Sequence, residues 1–222
     1  MICIPIVAKN TEEALEKIAK ANTLADILEL RLDMMDAFDL PKMIQGASKP
    51  VLATYRSIRE GGQGTADHKT HVSYLLSAIE GGAKLVDVEQ SLPAKWREKI
   101  FRARGKSSII ISTHIPDRTP SREELEEIFK KMSAAGGDII KIVTYAGTMT
   151  DNLRVLELIP QAHEKGIKII AFCMGSLGRI SRIFCHLMGT YMTFASLEGG
   201  EESAGGQIPV VDMKKILDFF KS

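Results

Sequence analysis

The chain has 222 residues, of which 45% are hydrophobic and 26% are charged, and its formal net charge is +1. No basic block and no membrane-length apolar run is present, so the composition argues against nucleic acid and membranes as partners and leaves a small molecule. The N-terminal residues MICIPIVAKN lack the features of a secretory signal peptide, so we expect a cytoplasmic location and one domain over residues 1–222.

Short apolar runs alternate with helical patterns along the whole chain. Eight β-then-α units follow one another without a break in composition, which predicts an α/β fold of the (β/α)₈ TIM barrel type. The alternative is an open doubly wound sheet, which usually has a glycine-rich phosphate turn after its first strand; residues 6–10 form no such turn. The predicted strands are 2–8, 27–32, 50–55, 85–89, 108–114, 139–145, 167–174 and 192–196.

Capping signals mark the starts of several predicted helices. Thr11 is followed by two glutamates, and we expect its hydroxyl to cap the first helix. Ser121 begins another helix with the spacing of a capping box. The second helix, predicted over 39–45 with Pro41 near its start, is the shortest.

The three cysteines of the chain, Cys3, Cys173 and Cys185, are odd in number, and two of them lie in apolar runs. The sequence therefore predicts buried reduced thiols rather than a disulfide framework.

Lys141 stands in the middle of the apolar, β-branched run DIIKIVTY at 138–145. Burying an ammonium ion costs free energy. Burial and nearby positive charge both lower the pKa of a lysine below its usual value of about 10.4 and so favour the neutral amine. A neutral amine can form a Schiff base with a ketone or aldehyde. The alternative is an ordinary lysine that points to solvent from a sheet edge.

Polar residues share one face of four predicted strands, whereas the opposite face is almost entirely apolar. In a barrel the apolar face lies under the helices, so the polar face should point into the lumen near the carboxyl ends of the strands. The lumen pairs are Glu29 and Arg31, Thr54 and Arg56, Asp87 and Glu89, and Ser112 and His114.

His114 and Lys141 are predicted to lie on adjacent strands near the same end. An imidazole can take up and return a proton near neutral pH, and an imine acidifies the neighbouring carbon. Together they suit proton abstraction beside a carbonyl, followed by loss of a β-leaving group. We expect Arg31 and Arg56 to help keep Lys141 unprotonated. The alternative for His114 is a core histidine bonded to a backbone carbonyl.

Taken in order, several motifs resemble the type I 3-dehydroquinate dehydratase family over nearly the whole chain. They are ELRLD at 29–33, TYR at 54–56 followed by EGG at 60–62, STH at 112–114, IIKIV at 139–143, SRIF at 181–184 and ESAGGQI at 202–208. The resemblance implies a (β/α)₈ barrel, usually a homodimer, that converts 3-dehydroquinate to 3-dehydroshikimate in the shikimate pathway without a metal or redox cofactor.

The resemblance also implies a role for each matching residue. Lys141 matches the imine-forming lysine, His114 the general acid/base, and Glu60 the carboxylate that tunes this histidine. The remaining matches are to substrate-binding residues: Glu29, Arg31 and Arg56 around the hydroxyls, Arg182 at the carboxylate, Met174 in the pocket wall, and Ser203 and Gln207 in the closing loop. Ile115 and Pro116 depart from the family, which usually has an acidic or amide residue and then an aromatic one there.

Two other functions compete with this interpretation. A class I aldolase shares the barrel and the lysine, but it usually binds a sugar phosphate, which Glu201 and Glu202 would repel. A barrel without catalytic activity would have no reason to retain so many buried charges. His68 and His71, three residues apart, are predicted to lie on a solvated helix face rather than to bind a metal.

Overall fold

Eight parallel strands form the centre of the computed structural model, which describes residues 1–220. Each strand pairs with its neighbours in sequence, in the order β7-β6-β5-β4-β3-β2-β1-β8. The order contains no reversal, so the alternative of an open doubly wound sheet is wrong. The strands are β1 Ile2–Ile6, β2 Ile27–Arg31, β3 Val51–Thr54, β4 Leu85–Glu89, β5 Ser108–Ile115, β6 Ile139–Tyr145, β7 Lys168–Met174 and β8 Thr193–Phe194.

The two outer strands of this order, β7 and β8, meet and nearly close the barrel. The Tyr191 amide, just before β8, donates to the Ile169 carbonyl of β7 at 2.7 Å. The rings of Phe172 and Phe194 pack beside this seam, with centroids 5.8 Å apart. The predicted TIM barrel is therefore confirmed. The last strand is shorter than predicted, although Ala195 beyond it still donates to the Cys3 carbonyl.

Helices cover the outer face of the barrel and bury the apolar side of every strand. Leu28, Leu30, Val86 and Val88 on these outer faces are inaccessible to solvent, and this burial is the main source of stability. The helices are α1 Thr11–Ala21, α2 Leu40–Gly46, α3 His68–Glu80, α4 Ala94–Ala103, α5 Arg122–Ser133, α6 Met149–Leu156, α7 Leu158–Glu164, α8 Arg179–Leu187 and α9 Val210–Phe219. Short 3₁₀ turns span Leu32–Met34 and Ile58–Glu60.

The predicted helix caps are only partly correct. Ser121 forms the expected capping box with Glu124. The cap of α1 is Asn10 rather than Thr11, because the Asn10 Oδ1 accepts from the Glu13 amide at 3.0 Å. The Thr11 hydroxyl instead accepts from the Asp39 amide at 2.7 Å and links α1 to the start of α2.

The prediction that His68 and His71 share a solvated face is wrong for His71. His68 is exposed, whereas His71 has 3% of its surface exposed and packs against the Tyr55 ring at 4.8 Å. Its position on α3 coincides with the buried stripe that contains Leu75, four residues later. Burial lowers the pKa of His71 below its usual value.

The cysteines are buried thiols, as predicted. No helix among residues 1–220 is both long enough and apolar enough to cross a bilayer. One domain over 1–222 stays a prediction, and positions 221 and 222 lie outside the described residues.

Candidate active site

A cavity opens at the carboxyl ends of the strands. All of the site residues predicted from the sequence line it, although they come from positions between 29 and 207. They are Glu29, Arg31, Arg56, Glu60, His114, Lys141, Met174, Arg182, Ser203 and Gln207. The lining also includes Thr54, Gly61, Val143, Phe172, Phe194 and Ala204, for which the sequence analysis predicted no role.

Lys141 lies inside the barrel on β6 and is 4% exposed, which excludes a solvent-facing position at a sheet edge. Its Nζ donates to Asp87 Oδ2 at 3.1 Å and lies 3.9 Å from Glu29 Oε1. The same nitrogen lies 4.5 Å from the centroid of the Phe194 ring, a distance typical of a cation–π contact. The amine is thus surrounded by two carboxylates and an aromatic face.

His114 lies on β5, two residues beyond Ser112, which is the register partner of Lys141 on β6. Its Nδ1 is 3.3 Å from Glu60 Oε2, and its backbone amide donates to the same oxygen at 3.1 Å. Burial, followed by the charges of Arg56 and Lys141, places the pKa of His114 well below its usual value. The ring is therefore neutral near pH 7. With Nδ1 assigned as the donor to Glu60, Nε2 is left as a proton acceptor.

Glu60 lies on the 3₁₀ turn after β3 and contacts both His114 and Arg56. Burial raises its pKa to about 7, while the charge of Arg56 acts in the opposite direction and Glu89 adds to the rise. Ser91 Oγ donates to Glu60 Oε1 at 2.5 Å and holds the carboxyl in place. Glu60 can therefore exchange a proton near neutral pH while it stays in contact with His114.

Arg56 is held by three carboxylates of the barrel. Its Nη1 lies 3.3 Å from Glu60 and 3.0 Å from Glu89, and its Nη2 lies 2.7 Å from Asp87 Oδ1. Burial alone would lower the pKa of Arg56, but these carboxylates raise it above the usual value. Arg56 was expected to help keep Lys141 unprotonated, but its contacts with Asp87 and Glu89 were not predicted, although both carboxylates had been placed on the lumen face.

Arg31 is paired in the same way, by a residue that the sequence analysis did not single out. Its Nε and Nη2 donate to the two oxygens of Asp33 at 2.9 and 2.8 Å. Its Nη1 donates to the Ser203 carbonyl at 3.3 Å. Asp33 ends the ELRLD segment, so its position two residues after Arg31 was the available signal. Arg31 therefore connects β2 to the loop that closes the cavity.

Arg182 differs from the other two arginines because no carboxylate contacts it among residues 1–220. It is 1% exposed; its Nη2 donates to the Gly205 carbonyl at 3.3 Å, and its guanidinium lies 4.5 Å from the Phe172 ring centroid. Its Nε is buried with no hydrogen-bond partner in the described part of the chain. Burial lowers the pKa of Arg182 to about 10. A buried cation with a free donor is suited to an anion in the cavity.

Residues 203–207 contribute to the wall of the cavity and lie next to Gly175, which directly follows β7. The Ser203 amide donates to Gln207 Oε1 at 2.9 Å, and Gln207 Nε2 donates to Ser203 Oγ at 3.1 Å. The Gly175 amide donates to the Gly205 carbonyl at 3.0 Å. Gly206 has a φ of +83°, and a Cβ there would lie 2.1 Å from the Gly175 oxygen, so only glycine fits.

This chain is similar to known proteins in both sequence and structure. Residues 2–222 match the family model described as Type I 3-dehydroquinase. The chain is 35% identical to the 3-dehydroquinate dehydratase of Methanocaldococcus jannaschii, over 97% of each chain. It is 33% identical to the Arabidopsis thaliana chloroplastic bifunctional 3-dehydroquinate dehydratase/shikimate dehydrogenase, covering 99% of this chain but 37% of that protein. The crystal structure of the Clostridium difficile type I enzyme, solved with covalently modified comenic acid, superposes with a TM-score of 0.88 at 25% identity, over 99% of this chain and 91% of that one.

Proposed function

We propose that this chain, which belongs to the type I 3-dehydroquinase family, dehydrates 3-dehydroquinate to 3-dehydroshikimate through a Schiff base on Lys141. The product would enter aromatic amino acid biosynthesis by the shikimate pathway. The observation that carries the proposal is a buried amine, Lys141, that shares one cavity with a neutral imidazole, His114, on the adjacent strand. The relatives named 3-dehydroquinate dehydratase support the choice of substrate.

The proposed reaction begins at Lys141. Its amine, after losing a proton, attacks the ring ketone, and loss of water gives an imine that withdraws electrons from the neighbouring carbon. His114 Nε2 takes the proton from that carbon to give an enamine. The enamine electrons then expel the β-hydroxyl, which leaves as water with the proton returned by His114. Hydrolysis of the product imine restores the free lysine.

The polar groups around the cavity suit a polyhydroxylated acid. Glu29 Oε1 accepts from Thr54 at 2.8 Å and has a second oxygen for a substrate hydroxyl. Arg182, which has no carboxylate partner in the described residues, would bind the substrate carboxylate with its planar fork of donors. A carboxylate would also use the buried Nε that lacks a partner. Ser203 and Gln207 would contact the ligand from the closing loop, and Met174 would pack against its ring.

The test is reductive trapping. Borohydride added to the enzyme with 3-dehydroquinate should attach the reduced adduct to Lys141, as located by peptide mass spectrometry, and the native enzyme should generate the conjugated enone absorbance of the product. Lys141→Met should lose both signals, whereas Lys168→Met, at the opposite, exposed end of β7, should keep both. An unmodified Lys141 in an enzyme that produces the enone would refute the imine.

The role of His114 needs a separate measurement. His114→Ala should lower the rate of enone formation by at least roughly 100-fold, the usual contribution of a general acid/base, and should still allow the adduct on Lys141 to form. Equal losses in both assays would indicate that His114 only positions the substrate.

We also propose that the protein is a cytoplasmic homodimer. Exposed apolar side chains on α6 and α8, namely Met149, Leu153, Ile180 and Phe184, support a contact between two copies. Light scattering should give twice the chain mass, and Phe184→Glu should give a monomer. A single-chain mass for the unmodified protein would contradict the dimer.

A further inference from the structure

A carboxylate that does not line the cavity lies directly behind the proposed nucleophile. Asp87 on β4 is 1% exposed, and its Oδ2 accepts from Lys141 Nζ at 3.1 Å. Glu29, Phe194 and Lys141 itself all face the cavity, whereas Asp87 is absent from its lining. A ligand on Lys141 would therefore have the amine nitrogen between itself and Asp87.

Two other side chains fix the orientation of this carboxylate. Its Oδ1 lies 2.7 Å from Arg56 Nη2 and accepts from Ser112 Oγ at 2.5 Å. Burial alone would raise the pKa of Asp87, but the charges of Arg56 and Lys141 and the bond from Ser112 lower it far below its usual range. Asp87 is thus an anion throughout the neutral pH range, with one oxygen occupied by its supports and the other directed at Lys141.

We propose that Asp87 is the positioning residue of Lys141: it anchors the nitrogen at the floor of the cavity and is the counter-ion of the protonated amine and then of the protonated imine. This inference rests on the proposed function. The proposed imine withdraws electrons most strongly when it is protonated. An adjacent fixed carboxylate stabilises the positive charge on that nitrogen.

Glu29 is the other carboxylate near the amine, and its geometry favours a different task. It lies 3.9 Å from Lys141 Nζ, it is held by a neutral hydroxyl, Thr54, and it faces the cavity. A ligand can therefore compete with Lys141 for Glu29. Asp87 is 1% exposed and lies outside the lining of the cavity, so we expect its contact with Lys141 to persist while substrate is bound.

The experiment is Asp87→Asn, which keeps the size of the side chain and removes its charge. The enone assay should show kcat lowered by roughly 10- to 100-fold, the range expected from loss of a charge-assisted hydrogen bond, and KM changed by less than about 3-fold. Borohydride trapping as a function of pH should show its acid limb displaced to lower pH. The reason for the displacement is that an amine without a neighbouring carboxylate loses its proton more readily.

Two further variants make the result decisive. Ser112→Ala removes one support of Asp87 and leaves the charge, so it should shift kcat and the acid limb in the same directions by smaller amounts. Asp212→Asn, which removes an exposed carboxylate on α9, is the control and should match the unmodified enzyme. If Asp87→Asn does not fold, the kcat and the pH profile of Ser112→Ala provide the test of the inference.

The inference is overturned if folded Asp87→Asn keeps the original pH profile of trapping. It is also overturned if the loss of kcat/KM in this variant comes entirely from a higher KM. Failure of the proposed function looks different, because the unmodified protein itself would then not be trapped on Lys141 with 3-dehydroquinate.

Discussion

Replacing Arg182 should make the protein more stable and less able to bind its substrate. The folded state lowers the pKa of Arg182 from 12.5 to about 10, which corresponds to a penalty of about 3 kcal/mol for its charge. Arg182→Met removes this penalty and sacrifices one hydrogen bond to the Gly205 carbonyl, worth about 1 kcal/mol. The net gain should be roughly 2 kcal/mol, or about 4–8 °C in Tm for a chain of this size.

The same substitution removes the group proposed to hold the substrate carboxylate. Loss of a charge-assisted contact of about 1.5–3 kcal/mol should lower kcat/KM by roughly 10- to 150-fold, mainly through KM. Thermal unfolding and steady-state kinetics on the same preparation test both effects. Arg182→Lys should retain more affinity than Met, and Arg59→Met, at an exposed position, is the control. A lower Tm together with an unchanged KM would refute the interpretation of Arg182 as an unpaired, anion-binding cation.

Three further predictions concern other parts of the molecule. Folding raises the pKa of Glu60 from 4.5 to about 7, so the contribution of Glu60 to stability falls as pH rises through that window. The lowered pKa of His114 has the opposite effect, because the protein loses stability as pH drops below 6.5. Glu60→Gln removes the effect of Glu60. Between pH 7 and pH 5, the free energy of unfolding measured with denaturant should therefore fall more in this variant than in the unmodified protein. An equal fall in both proteins would contradict these shifts. Gly206→Ala should displace the closing loop, raise KM and lower Tm, because the new Cβ would clash with the Gly175 backbone at a positive φ, whereas Gly199→Ala, where a Cβ meets nothing within 4 Å, should leave KM unchanged. Ser121→Ala removes a capping box and should lower stability by about 1 kcal/mol without affecting kcat, as measured by thermal melts and the enone assay.

The barrel and the contents of its lumen were predictable because two sequence patterns reinforce each other. One is the repeated strand-then-helix order, and the other is the alternation of polar and apolar residues along each strand. Alternation along β2 separates Glu29 and Arg31 from Leu28 and Leu30, and only a closed sheet covered by helices places the first pair inside. Lys141 was expected near His114, at the same end of the adjacent strand, and both residues line the cavity.

The pairing of charges inside the lumen was not predictable, because it depends on how far each side chain reaches across a curved sheet. Arg31 and Arg56 were expected to help keep Lys141 unprotonated by like-charge repulsion. The structure instead pairs them with Asp33, Asp87 and Glu60, and carboxylates lie beside the amine. Alternation assigns a side chain to a face, but it does not select its partner.

Local errors had a similar origin. Asn10 and Thr11 are both good capping residues, and only the backbone conformation decides which of them precedes the first helical residue. His71 was assigned to solvent because a polar residue on a helix is usually exposed, but its register on α3 places it against Tyr55.

The alternating faces of the strands also have a consequence for engineering. The outward residues, such as Leu28 and Val88, are buried under the helical shell, whereas the inward residues, such as Asp87 and Lys141, contact one another or the cavity. Thermostability and reactivity are therefore assigned to separate sets of positions in the same short segments. The outward positions of the strands could therefore be redesigned for heat tolerance without altering the inward, reactive groups of the same strands.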